Sequence, residues 1–110
     1  MNVGRSSQKK GRTAELALCR LLNEHGIPAI PGQPLNYGTE PDISGVVGVH
    51  VECKRSERVK ISEWMAQAER DAARFQDGAP AVFFRRSREP WYVCMGLTDW
   101  LKLYTEAKRR

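Results

Sequence analysis

The chain has 110 residues, of which 41% are hydrophobic and 28% charged, and a formal net charge of +5. That is the size of one domain and the composition of a folded protein, which excludes an intrinsically disordered chain and a two-domain enzyme. The positive balance points to a polyanionic partner, and nucleic acid is favoured over a membrane surface because no strongly apolar amphipathic helix accompanies the basic residues.

In chain order, Met1–Gln8 is polar and basic and reads as a flexible arm. Leu18, Leu21 and Leu22, with Ala14 and Cys19, form an apolar stripe that predicts a helix over Lys10–His25, capped by Gly26 and stopped by Pro28. Ala29-Ile30 predicts a short strand, and Pro31–Pro41, with three prolines and two glycines, predicts a loop. Asp42–Ser44 and Val47–Lys54 predict a hairpin. On its second strand Val49, Val51 and Cys53 face one way, and His50, Glu52 and Lys54 the other. Ser62 suits the N-cap of a helix reaching Phe75, with Ile61, Trp64, Met65, Ala68, Ala72 and Phe75 as its buried stripe. Ala81–Phe84 and Trp91–Met95 predict two further strands joined by the basic turn Arg85-Arg86-Ser87-Arg88, and Thr98 caps a last helix over Asp99–Tyr104. The order α-β-β-β-α-β-β-α describes an α/β domain with a mixed central sheet flanked by helices.

The three cysteines, Cys19, Cys53 and Cys94, form no CxxC pair and are odd in number. A disulfide framework or zinc site is therefore not expected, and reduced thiols in an intracellular, cytoplasmic setting are. No secretory leader pattern and no apolar run near the length of a membrane span are visible.

The chemistry concentrates in Pro41-Asp42, followed after nine residues by Glu52-Cys53-Lys54. Two carboxylates can hold a divalent cation, which polarises a phosphate and lowers the pKa of a bound water. A lysine can position that water or offset charge on the transition-state oxygens. Together they are the minimum set for metal-dependent cleavage of a phosphodiester. The alternative is a solvated hairpin with a surface ion pair.

Glu15 on the first helix, Pro41-Asp42, Glu52-Cys53-Lys54 and Gln67 on the second helix resemble the PD-(D/E)XK nuclease superfamily. Lys10-Gly11, Gly26-Ile27-Pro28-Ala29-Ile30 and Gly78-Ala79-Pro80-Ala81-Val82 resemble its archaeal-type Holliday junction resolvases and their phage relatives. The resemblance implies a restriction-endonuclease-like core, one nuclease domain over residues 1–110, and a homodimer that cuts branched DNA. The implied cofactor is Mg2+, with Mn2+ as a substitute, and no small-molecule cofactor. Asp42, Glu52 and the Cys53 carbonyl would bind the metal, Glu15 would reach it directly or through water, Lys54 would orient the attacking water, and Gln67 would support the site. The chain departs from those resolvases at Pro31, where they carry arginine, and at Asn36, Tyr37 and Thr39, where they carry a serine. Two further readings share these residues: a structure- or end-specific phage-type nuclease acting on duplex or flaps, and a nucleic-acid-binding protein that does not cut.

The remaining candidates divide between bland and functional roles. His50 reads as an exposed strand histidine, with assistance to the metal or leaving group as the alternative. Trp64 and Trp91 read as core, and Trp100 or Tyr104 as a dimer contact. Arg85, Arg86 and Arg88 repel one another on a tight turn and gain from a phosphate backbone laid across them. Lys9, Lys10, Arg12, Arg55, Arg58 and Lys60 are further candidates for tracking that backbone.

Overall fold

A computed structural model describes residues 3–33 and 38–109, with side chains from residue 11 onward. Helix α1 (Val3–Glu24) buries Ala14, Leu18 and Cys19. It opens earlier than the sequence suggested, so the segment expected as an arm is helical from Val3; adding a turn to a formed helix costs little, because each added residue gains a hydrogen bond without a new nucleus. The helix ends where expected, with Gly26 at φ +82°. The Asn23 amide donates to the carbonyls of Cys19 at 2.8 Å and Ala29 at 2.9 Å, which turns the chain from α1 towards the sheet. Asn36 and Tyr37 lie outside the described residues.

Among the described residues five strands follow: β1 (Ile30–Pro31), β2 (Ile43–Ser44), β3 (Val49–Arg55), β4 (Ala79–Arg85) and β5 (Tyr92–Met95). They lie in that order across one sheet. β1–β2, β2–β3 and β4–β5 are antiparallel, and β3–β4 is parallel, in register from Val49↔Ala79 to Arg55↔Arg85. A parallel pair needs a crossover, which α2 (Ile61–Phe75) supplies. At the far side of that crossover Gly78 sits at φ +132° against the backbone of Gly48, where a Cβ would lie 2.4 Å from the Gly48 carbonyl carbon.

Two helix starts differ from expectation. α2 begins at Ile61 with Lys60 as its N-cap and no side-chain cap, so Ser62 lies inside the first turn. The last helix, α3, spans Leu97–Lys108 behind Gly96, and Thr98 is likewise internal. In both places the helical backbone begins before the capping side chain is reached. None of the α3 side chains is buried, and Trp100 stacks on Tyr104 with ring centroids 5.1 Å apart.

The sheet divides the core in two. On the α1 side Leu18, Cys19, Ile43, Val51 and Cys53 are buried, with Phe83 and Trp91 packed against them. On the α2 side Trp64, Ala68 and Val82 are buried, with Ile61, Met65 and Phe84 around them. Trp64 meets Phe84 at 5.6 Å between ring centroids, so it is core as expected. Burying one such large apolar side chain contributes roughly 1.5–3 kcal/mol. Among the described residues, no helix is long and apolar enough to cross a membrane.

Candidate active site

The alternation along β3 turns Val51 and Cys53 towards α1 and leaves His50, Glu52 and Lys54 on the α2 side. Asp42 stands just before β2, and the antiparallel pairing of Ile43 with Val51 brings it level with this segment. The Cys53 N–H donates to Asp42 Oδ2 at 3.2 Å. Glu52 is almost wholly buried, with Oε2 3.8 Å from Lys54 Nζ. From α2, Gln67 Oε1 accepts a 2.7 Å hydrogen bond from the same ammonium. Glu15 approaches from α1, paired at 3.7 Å with Arg12, which also donates to the Gly32 carbonyl. The structure thus brings Glu15, Asp42, Glu52, Lys54 and Gln67 into one neighbourhood.

The electrostatics of this neighbourhood favour a cation. Burial, then the charge of Glu52, pushes the Asp42 carboxyl up to about 6, against the pull of the Cys53 N–H and of Lys54. Burial, then the charge of Asp42, pushes Glu15 up to about 7, with Arg12 opposing. Desolvated carboxylates that raise one another's proton affinity are relieved when a dication replaces the protons. Their oxygens are hard donors, the chemistry that suits Mg2+ or Mn2+. The residues present therefore fit such an ion. Burial pushes the Cys53 thiol well above its ordinary range, and its side chain packs in the core on the α1 side.

His50 corrects the expectation from sequence. It is 1% exposed, not an exposed strand residue. β3 is an interior strand paired on both edges, and α2 covers this face, so an even-numbered position on β3 lies beneath a helix. The ring Nδ1 lies 2.8 and 3.0 Å from the two Asp77 oxygens, and Nε2 lies 3.2 Å from Glu52 Oε1. Burial opposes charge on this imidazole, but the hydrogen bonds to Glu52 and Asp77 outweigh it and push it up to about 9.

Asp71 and Asp77, acidic residues near the site, were not singled out by the sequence. Asp71 lies one helical turn after Gln67, and that i, i+4 spacing was a usable signal. Asp77 follows α2 in an irregular segment, where only the parallel β3–β4 pairing reveals its position. A cavity of about 220 Å³ is lined by Asp42, His50, Glu52, Gln67 and Asp71, among others.

Beside it runs an open groove of about 520 Å³, lined by Lys54, Lys60, Gln67 and Arg70 among others. Arg70 is a further basic residue that the sequence did not mark out, and Gln67 lines both spaces. The other basic candidates are dispersed. Arg55 pairs with Glu57 at 3.1 Å, and Arg58 is exposed. Arg85 ends β4 with its guanidinium 5.6 Å from the centre of the Trp91 ring, Arg86 is paired with Glu89, and Arg88 is exposed. The side chains of Lys9 and Lys10 lie outside the described residues.

A mixed five-stranded sheet flanked by helices, with Asp42 at the entrance to β2 and Glu52 and Lys54 on the adjacent β3, is a restriction-endonuclease-like core with the PD-(D/E)XK motif in place. Residues 39–110 match the family described as "Phage putative PDDEXK endonuclease", and the chain belongs to that family. Among curated proteins, none matches the chain.

Proposed function

We propose that the protein is a divalent-metal-dependent endonuclease that hydrolyses phosphodiester bonds in branched DNA, acting as a homodimer on a four-way junction. The observation that carries the nuclease reading is Lys54, held by Gln67 at 2.7 Å beside buried Glu52, with Asp42 tied to the same strand. The restriction to branched DNA is supported by the resemblance to junction resolvases, and the dimer by the need for two cuts in a symmetric junction.

In this reading Asp42, Glu52 and the Cys53 carbonyl hold the metal, and Glu15 completes its surroundings. The ion, when bound, supplies charge stabilisation at the phosphate and an acidified water. Lys54 donates from Nζ towards the attacking water or a phosphate oxygen, and Gln67 keeps that ammonium from swinging into solvent. A water oxygen forms the new bond to phosphorus as the bond to the leaving oxygen breaks; the water's proton passes to solvent, the leaving oxygen takes a proton from solvent, and no residue becomes covalently attached. Lys60 and Arg70 receive the neighbouring phosphates in the groove, with Arg58 and Arg88 as outlying contacts.

A second reading, a structure- or end-specific nuclease acting on flaps or duplex, is favoured by one observation: Pro31 stands in β1 where the resolvases it resembles carry arginine. One experiment separates the readings. Labelled four-way junction, flap and linear duplex are incubated with Mg2+ or with chelator, using wild type and Asp42→Ala. Paired Mg2+-dependent cuts in the junction alone, lost in the variant, are expected. Cutting of flap or duplex would select the second reading, and binding without cutting on every substrate would overturn both.

A further inference from the structure

We propose that His50 Nε2, Glu52 and Asp71 form a second metal site beside the carboxylate centre, one that takes a first-row transition-metal dication such as Co2+, Zn2+ or Mn2+ in preference to Mg2+. The inference goes beyond the nuclease reading, because it concerns occupancy and holds whether or not the chain cuts DNA. One ligand atom from each of these residues lies within 4.8 Å of the other two.

The case begins on the far side of the imidazole. Nδ1 faces both oxygens of Asp77, at 2.8 and 3.0 Å. A carboxylate accepts and does not donate, so Nδ1 carries the hydrogen and the variable position is Nε2. A carboxylate behind one ring nitrogen is the arrangement that fixes a ligating histidine's tautomer and raises its basicity. In front of the ring, Nε2 lies 3.2 Å from Glu52 Oε1. Ligands about 2.1 Å from a first-row ion stand roughly 3.0–3.4 Å apart, so these two atoms already span one edge of a coordination polyhedron.

Asp71 supplies the third corner from α2, where a half-buried side chain can change rotamer without disturbing the core. The cavity of about 220 Å³ leaves room for waters to complete the shell. Glu52 can serve two sites because its oxygens diverge, Oε1 towards His50 and Oε2 towards Lys54. The nitrogen donor sets the selectivity: imidazole binds borderline first-row ions well, whereas Mg2+ prefers oxygen and keeps its waters. Binding displaces the proton that Nε2 shares with Glu52, and that proton passes to solvent.

The test uses tag-free full-length protein and Co2+, whose visible absorption reports nitrogen and oxygen ligation, titrated in saturating Mg2+ so that the oxygen centre is filled. Wild type is expected to bind one Co2+ with visible bands that Mg2+ does not remove. His50→Gln should abolish those bands, Asp71→Asn should weaken binding about tenfold or more, and Asp77→Asn about 10–100-fold. Asp42→Asn should leave them in place. Asp71→Asn decides the matter if buried His50→Gln fails to fold. Wild type without Mg2+-resistant bands, or bands unchanged in Asp71→Asn, would overturn the site. Cutting with Mg2+ in a protein that shows no Co2+ bands would sink this proposal and leave the nuclease reading standing; Co2+ bands in a protein that never cuts would do the reverse.

Discussion

Gln67 on α2 accepts a 2.7 Å hydrogen bond from the Lys54 ammonium on β3, so the second helix reaches across the site to orient the residue assigned to the attacking water. In the proposed mechanism Gln67 acts through Lys54. Lys54→Ala is expected to lower the cleavage rate by about two to three orders of magnitude, the range seen when one transition-state donor is removed. Gln67→Ala should cost about tenfold, and the double variant should be no slower than Lys54→Ala alone. Single-turnover cleavage measures all three. Additive losses would show that Gln67 has a role of its own.

Asp42→Asn should abolish cutting while leaving DNA binding and folding close to wild type. The amide oxygen can still accept from the Cys53 N–H, which now donates to Asp42 at 3.2 Å, so only the charge is lost. Gel shift and thermal melting read binding and folding alongside cleavage. A variant that cuts at the wild-type rate would place the metal elsewhere.

Metal-free protein should lose stability steadily from about pH 4 to pH 9. Asp42 and Glu15 are raised to about 6 and about 7 by burial first and by neighbouring carboxylates second. Between their unfolded values near 4 and those folded values, the native state binds more protons than the unfolded state, so stability falls as pH rises. His50, raised to about 9, continues the trend: its contribution is full below its unfolded value of about 6.5 and is lost as pH rises through 9. Divalent metal should therefore raise the melting temperature more at pH 8 than at pH 5. Thermal melts with chelator and with Mg2+ measure both trends, and a metal-free protein most stable at pH 8 would contradict the site electrostatics.

How far the sequence could be read depended on whether the signal was local. The period-two pattern of β3 and the helical stripe of α2 were visible because each reports burial within one element, and both place their residues as expected. The burial of His50 was not legible, since it requires knowing that β3 is interior and that α2 lies over its even-numbered side chains. Asp77 carries no pattern at all; it reaches His50 only through the parallel crossover. Ser62 and Thr98 misled for a different reason, being good capping residues placed just inside helices whose backbones turn at Lys60 and Gly96.

Gly78→Ala tests that crossover. A Cβ there would meet the Gly48 carbonyl carbon at 2.4 Å and the Val49 nitrogen at 2.5 Å, at a φ of +132° that side chains disfavour. Backbone atoms cannot swing aside, so a loss of about 2–3 kcal/mol is expected in urea unfolding. A wild-type midpoint would mean that the Gly48 and Gly78 backbones can separate at little cost.

Neutralising Lys60 and Arg70 together should weaken DNA binding evenly across sequences. It should also lower the salt dependence by about two units of slope, about one for each phosphate that is no longer neutralised. Affinity measured across a salt series checks this. An unchanged slope would return the groove to solvent and shift attention to Arg58 and Arg88.

The strand β3 carries two unrelated duties in alternate positions. Val49, Val51 and Cys53 belong to the core beneath α1, while Glu52 and Lys54 belong to the site. A saturation scan along this one segment would not show a continuous stretch of sensitivity with one phenotype. Replacements at Val49, Val51 and Cys53 would disappear from the folded pool, and changes at Glu52 and Lys54 would persist as intact molecules that no longer cut. Decay of the enzyme into an inert DNA-binding protein is thus one substitution away from the functional sequence, and so is loss of the protein altogether, at neighbouring codons.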